Sequence, residues 1–263
     1  MRILLAFVFL SFVQPMSARA DCVVMLHGLA RSEASLTVLE ELLERAGYRA
    51  VTPSYDSTEE TIERLAASTL PPALSECGDE RVHIVTHSLG GILVRQFLSQ
   101  NTIPRLGRVV MMGPPNHGSE IVDEFSHLQP FGWLNGPAGM ELSTDPDSTP
   151  NRLGPVDFDL GIIAGNRSLN PIYSNLLPGE DDGKVSVEST YLDGMRAHIT
   201  LPVTHTFMMN NPLVAAQVVH YLRKGTFEPG LTLGELLFDI AANGFDFEEA
   251  LAAEDLRALA PAE

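Results

Sequence analysis

The chain has little positive charge. Its 17 lysines and arginines face 34 acids, a net charge of −17 over 263 residues. Such a balance argues against a general nucleic-acid binder, which carries basic stripes. It also disfavours electrostatic docking on anionic membranes. Cysteine is scarce: Cys22 and Cys77 only. There is no zinc-ligand spacing, phosphate loop, dinucleotide fingerprint or internal repeat, so no metal and no cofactor is expected. The one strongly apolar run near the start, Ile3 to Val13, is short for a membrane span.

What is present suits one α/β domain. A hydrophobic fraction of 44% is enough to bury a sheet in a chain of this length. Residues 1–20 carry Arg2, the apolar run and Ala18-Arg19-Ala20, the features of a secretory signal peptide with a small-x-small cleavage site. Its removal takes away Arg2 and Arg19 and moves the charge from −17 to −19. Residues 21–226 hold the folded domain. Residues 227–263 form an acidic tail, with nine acids and one base, Arg257, from Glu228 onward; it either packs, binds a partner or stays mobile. Oligomeric state is not readable. Cys22 and Cys77 each stand just ahead of an apolar strand, and export permits a disulfide between them. Two free buried thiols are the other reading.

The stretch with most chemical content is Val82-His83-Ile84-Val85-Thr86-His87-Ser88-Leu89-Gly90-Gly91. A β-branched apolar run turns at a serine and leaves through two glycines into the helix-spaced Ile92–Leu98. This is the pattern of a nucleophile elbow, which exposes a serine Oγ at a strained turn. Thr86 departs from the glycine usual at the first position of G-x-S-x-G. Upstream, the buried strand Val23–Leu26 ends in His27-Gly28-Leu29, where the backbone can turn the Leu29 N–H toward a reacting oxygen. Ser32 or Ser35 is expected to cap the next helix, and Pro71-Pro72 to break or restart the one after it. Residues 120–157 lack periodicity and read as a lid, a substrate wall or a packed loop. Trp133 and its apolar neighbours suggest an acyl pocket, although core packing explains them equally well.

A serine nucleophile needs a base, and the base needs an acid. Strand order offers Ser88, then Asp182 in an acidic glycine turn, then His205 beyond the last strand. Asp181 and Asp193 are rivals for the acid. His198 falls within a strand, His83 and His87 share the serine's own segment, and His117 reads as a structural or positioning residue.

Three segments carry a family resemblance: His27-Gly28-Leu29, Thr86-His87-Ser88-Leu89-Gly90-Gly91, and Asp181-Asp182-Gly183-Lys184-Val185. A fourth, His205-Thr206-Phe207-Met208, carries it more weakly. Over roughly residues 22–225 the chain resembles the bacterial lipase/esterase branch of the α/β-hydrolase superfamily. The resemblance implies a reduced α/β-hydrolase fold, a mostly parallel sheet of about six strands flanked by helices. It also implies Ser88 as nucleophile, Asp182 as acid, His205 as base, and the N–H groups of Leu29 and Leu89 as oxyanion hole. The expected function is an exported, periplasmic or secreted serine hydrolase acting on small-molecule or lipid carboxyl esters. Two alternatives stand beside it. One is an acyltransferase using the same triad, and the other is a non-catalytic binding protein on a hydrolase scaffold.

Overall fold

The computed structural model describes residues 20–234. The expected signal segment up to Arg19, and the acidic tail from residue 235 onward, lie outside them. The elements run β1 (Cys22–Leu26), α1 (Thr37–Arg45), β2 (Arg49–Val51), α2 (Ile62–Glu76), β3 (Val82–His87), α3 (Leu89–Leu98) and β4 (Leu106–Met112). Then follow α4 (Glu120–Phe125), α5 (Gln129–Met140), α6 (Thr149–Arg152), β5 (Leu160–Gly165), α7 (Pro171–Ser174), α8 (Val187–Thr190), β6 (Ala197–Leu201) and α9 (Pro212–Lys224).

The six strands form one sheet in the order β2-β1-β3-β4-β5-β6, and every pairing is parallel. The apolar sequences explain this. β1, β3 and β5 are buried at every position, as strands covered by helices on both faces must be. Alternate residues serve opposite cores. Val24, Leu26 and Ile84 pack with α2 and α3, while Val23, Met25 and Val85 pack with α1 and α9. The chain leaves β1 toward β2 and returns on its other side as β3. The loops after β1 and β3 therefore diverge at a switch point, where open parallel sheets place their ligands.

Local sequence differs from expectation in three places. α2 runs unbroken through Pro71 and Pro72. Both prolines are exposed, so the carbonyls they leave unpaired face water, while Leu70 and Ala73 anchor the buried side. Neither Ser32 nor Ser35 caps a helix: a single 3-10 turn, Glu33–Leu36, precedes α1, and the Ser35 hydroxyl bonds back to the Ser32 carbonyl at 2.7 Å. Residues 120–157 contain three helices. α5 kinks at Gly136 (φ 63°), where any β-carbon would collide with the Thr58 carbonyl.

Cys22 and Cys77 are bonded, with a Cα separation of 5.7 Å, and both are fully buried. The bond joins the start of β1 to the end of α2, at the opposite end of the sheet from the loops that follow β1 and β3.

Candidate active site

Ser88 stands between β3 and α3 with φ 54° and ψ −123°. A non-glycine residue holds such a conformation only when its surroundings impose it. The surroundings here are tight. The Ser88 N–H donates to the Met112 carbonyl at 2.9 Å. A β-carbon on Gly90 would lie 2.7 Å from the Leu26 carbonyl oxygen, so only glycine lets α3 seat against the end of β1. The Thr86 hydroxyl is buried without a hydrogen-bond partner among the described residues. It lies beside Gly91, where a β-carbon would stand 3.3 Å from it, so part of the room usually found at the first elbow position is found across the turn.

The structure brings Ser88, His205 and Asp182 together. His205 Nε2 is 3.0 Å from Ser88 Oγ, and His205 Nδ1 is 2.7 Å from Asp182 Oδ2. The other carboxylate oxygen, Oδ1, accepts the N–H groups of Lys184 (2.9 Å) and Val185 (2.8 Å). The His205 N–H donates to the Asp182 carbonyl at 2.8 Å, which joins the two loops through their backbones. All three side chains are buried. The rivals lie elsewhere. Asp181 accepts from the Ser174 hydroxyl and the Gly183 N–H, so it builds the turn. Asp193 is exposed. His198 pairs with Thr190 and stacks on Tyr191, His83 bridges Asp21 and the Arg108 N–H, and His117 meets Asn151.

The N–H groups of Leu29 and Leu89 make no hydrogen bond among the described residues. The Ala30 N–H is taken by Ser57 Oγ at 2.9 Å, and Ala30 is itself held at φ 52°. The loop packs hard on the elbow: a β-carbon at Gly28 would stand 2.8 Å from His87 Nδ1 and 3.0 Å from Ser88 Cβ.

No protein-family model matches the chain, and no curated protein matches it in sequence. Solved structures match it in shape. It is similar to the mature form of lipase BlEst2 from Bacillus licheniformis, at 20% identity and TM-score 0.64, covering 78% of this chain and 93% of that one. It is similar to phospholipase PlaB from Legionella pneumophila, at 18% identity and TM-score 0.63, covering 80% and 60%. Lipase B from Aspergillus fumigatus aligns at 14% identity and TM-score 0.61, covering 90% and 61%. The chain has the α/β-hydrolase fold.

Beside Ser88 and His205 the chain has a cavity of about 330 Å³. Leu29, Val122, Phe131, Leu134, Leu142 and Val185 give it a mainly apolar wall, much of it from residues 120–157. Trp133 is not part of that wall: it is 79% exposed. Phe131 and Leu134, from the same helix, line the cavity in its place.

Several supporting residues carry no local sequence signal. Tyr55 stacks on His27 and donates to its carbonyl at 2.6 Å, bracing the loop before Leu29. Gly113 has φ 56°, and a β-carbon there would stand 3.0 Å from Asp182 Oδ2 and 3.2 Å from His205 Nδ1. His87, from the serine's own segment, lines the cavity, and its Nε2 is 3.0 Å from the His205 carbonyl. Burial first, and His205 second, hold the His87 pKa well below the usual histidine value. His87 is therefore a neutral donor to that carbonyl.

Burial also lowers the pKa of His27 and His83, and brings that of His198 to about 4. Four histidines are thus held neutral by folding. In the unfolded chain each takes up a proton near about pH 6.5. Below that pH the unfolded state binds more protons than the folded one. Stability is therefore full above about pH 6.5 and falls as pH drops toward the lower folded values, by up to about 1.4 kcal/mol per pH unit for each histidine. Thermal unfolding across this range should show a flat midpoint at neutral pH and a falling one on acidification. A midpoint that rises in acid would contradict it.

Proposed function

We propose that this protein is an exported serine hydrolase that cleaves carboxyl esters through an acyl-enzyme. The carrying observation is the chain Ser88 Oγ–His205 Nε2, His205 Nδ1–Asp182 Oδ2, at 3.0 and 2.7 Å, beside a mainly apolar cavity. The hydroxyl of Ser88 attacks the ester carbonyl while His205 Nε2 takes its proton. Asp182 accepts from Nδ1–H, fixes the tautomer and stabilises the imidazolium. The oxyanion is met by the N–H groups of Leu29 and Leu89, which have no partner among the described residues to give up. His205 then protonates the departing alcohol, and water releases the acyl group by the same path. The apolar wall suits an acyl chain. Two lipases and a phospholipase among the structural neighbours support the class of reaction. Export is supported by the signal-like residues 1–20 and the Cys22–Cys77 disulfide.

A fluorophosphonate probe tests this reading. The purified protein should acquire one adduct, on the peptide containing Ser88, and lose hydrolysis of p-nitrophenyl esters in parallel. An adduct elsewhere, or ester hydrolysis that persists after complete labelling, would sink it.

A further inference from the structure

Arginine and lysine are few in this acidic chain, and lysine occurs only at positions 184 and 224. Two of these scarce cations, Arg31 and Lys184, line the cavity that holds Ser88 and His205, and among the described residues no aspartate or glutamate lines it. Neither makes an ion pair among the described residues. Asp182, whose charge acts on Lys184, already has both oxygens engaged by His205 and by two backbone N–H groups. The side chain of Lys184 is exposed to solvent yet densely surrounded, and this crowding first, then the Arg31 charge, lowers its pKa. Two like charges converging on one site without a carboxylate between them suit an anion that arrives with the substrate.

Their position says which part of the substrate carries that anion. Arg31 Nη2 lies 3.5 Å from the carbonyl of Thr206, the residue after His205. Lys184 also borders a second cavity of about 130 Å³ that His205 shares, with Asp182, Asn170, Thr204 and Thr206 on its wall. Both cations thus sit on the histidine side. In the proposed reaction the departing oxygen takes its proton from His205 Nε2, so the alcohol portion lies on that same side. The acyl chain has the apolar wall.

We propose that Arg31 and Lys184 form an anion subsite that selects esters whose leaving alcohol bears a negative group, a phosphate or a carboxylate. The proposal rests on the hydrolase reading above. Arg31 supplies a fork of N–H donors and Lys184 a point charge at the rim. They determine specificity and take no part in bond making.

The test compares two monomeric esters that differ only in the alcohol, hexanoylglycerol phosphate and hexanoylglycerol. Two charge-assisted contacts, each worth about tenfold, set the expected ratio of kcat/KM at about a hundredfold in favour of the phosphate. Arg31→Gln or Lys184→Gln should each cut the ratio to about tenfold, and the double variant should bring it near one. Added salt should lower the wild-type ratio, a reading that needs no variant. Vesicles of a long-chain acylglycerol phosphate, set against the soluble ester, separate a lipid source of the anion from a soluble one. A raised ratio in either presentation supports the subsite. A ratio near one in both, or variants that slow both esters equally, overturns it and leaves the hydrolase standing. No hydrolysis of either ester, with no fluorophosphonate adduct, overturns both.

Discussion

Ser88→Ala is expected to lower kcat for a p-nitrophenyl ester by about 10⁶-fold while the protein stays folded. The size follows from what is lost. Without Oγ there is no acyl-enzyme, and His205 Nε2 can only activate a water that nothing positions. The Leu29 and Leu89 N–H groups and the apolar wall remain, so KM should change little and a residual rate above that in water should persist. Folding should survive because the Ser88 hydroxyl has one polar partner among the described residues, His205, and alanine meets the same φ of 54° as serine does. The check is kcat and KM beside a thermal unfolding curve. A variant with native stability and a kcat within tenfold of wild type would remove Ser88 from the chemistry.

Asp182→Asn should cost about 10⁴-fold in kcat, and the structure says why the near-isosteric change is so damaging. Asp182 Oδ1 accepts two backbone N–H groups, those of Lys184 and Val185. In the asparagine variant the amide oxygen stays with these donors, so the amide nitrogen is turned toward His205 Nδ1. That nitrogen can only donate. His205 must then carry its proton on Nε2, facing Ser88, and the base is in the wrong tautomer. Loss of the imidazolium's counter-charge adds to the effect. The outcome is read from kcat and the rate of fluorophosphonate labelling, both of which should fall while thermal stability changes far less. An unchanged labelling rate would mean that Asp182 does not govern the base.

The parts of this fold legible in the sequence are those whose cause is local. β1 is a continuous apolar run, and β4 and β5 each contain one, Val109–Met112 and Ile162–Ala164, because burial on both faces demands it. The elbow is legible because a strand, a strained serine and two glycines follow one another directly. Asp182 and His205 stand out for another reason: parallel strands deliver their loops to one edge, so chain order restricts which acid and which histidine can meet the serine. What was not legible depends on neighbours distant in the chain. His87 meets a carbonyl 118 residues away. Gly113 matters only because Asp182 and His205 arrive beside it. Tyr55 and Ser57 brace a loop about thirty residues before them. α5 is not legible in the sequence because Gly132, Gly136, Pro137 and Gly139 give it poor helical propensity, which tertiary packing overrides. Pro71 and Pro72 read as a break for the converse reason, since an exposed helix face tolerates what a buried one would not.

The Cys22–Cys77 bond reaches further than its place at the base of the sheet suggests. It ties the strand that leads to Leu29 to the helix that leads into the Ser88 strand. Both sulfurs are wholly shielded, so a reductant meets them only in molecules that have opened there. Molecules exposing thiols in mild reductant are therefore those in which these two segments have come apart. The cross-link serves as an internal clock for the opening of the strands that hold the Leu29 loop and Ser88 in register.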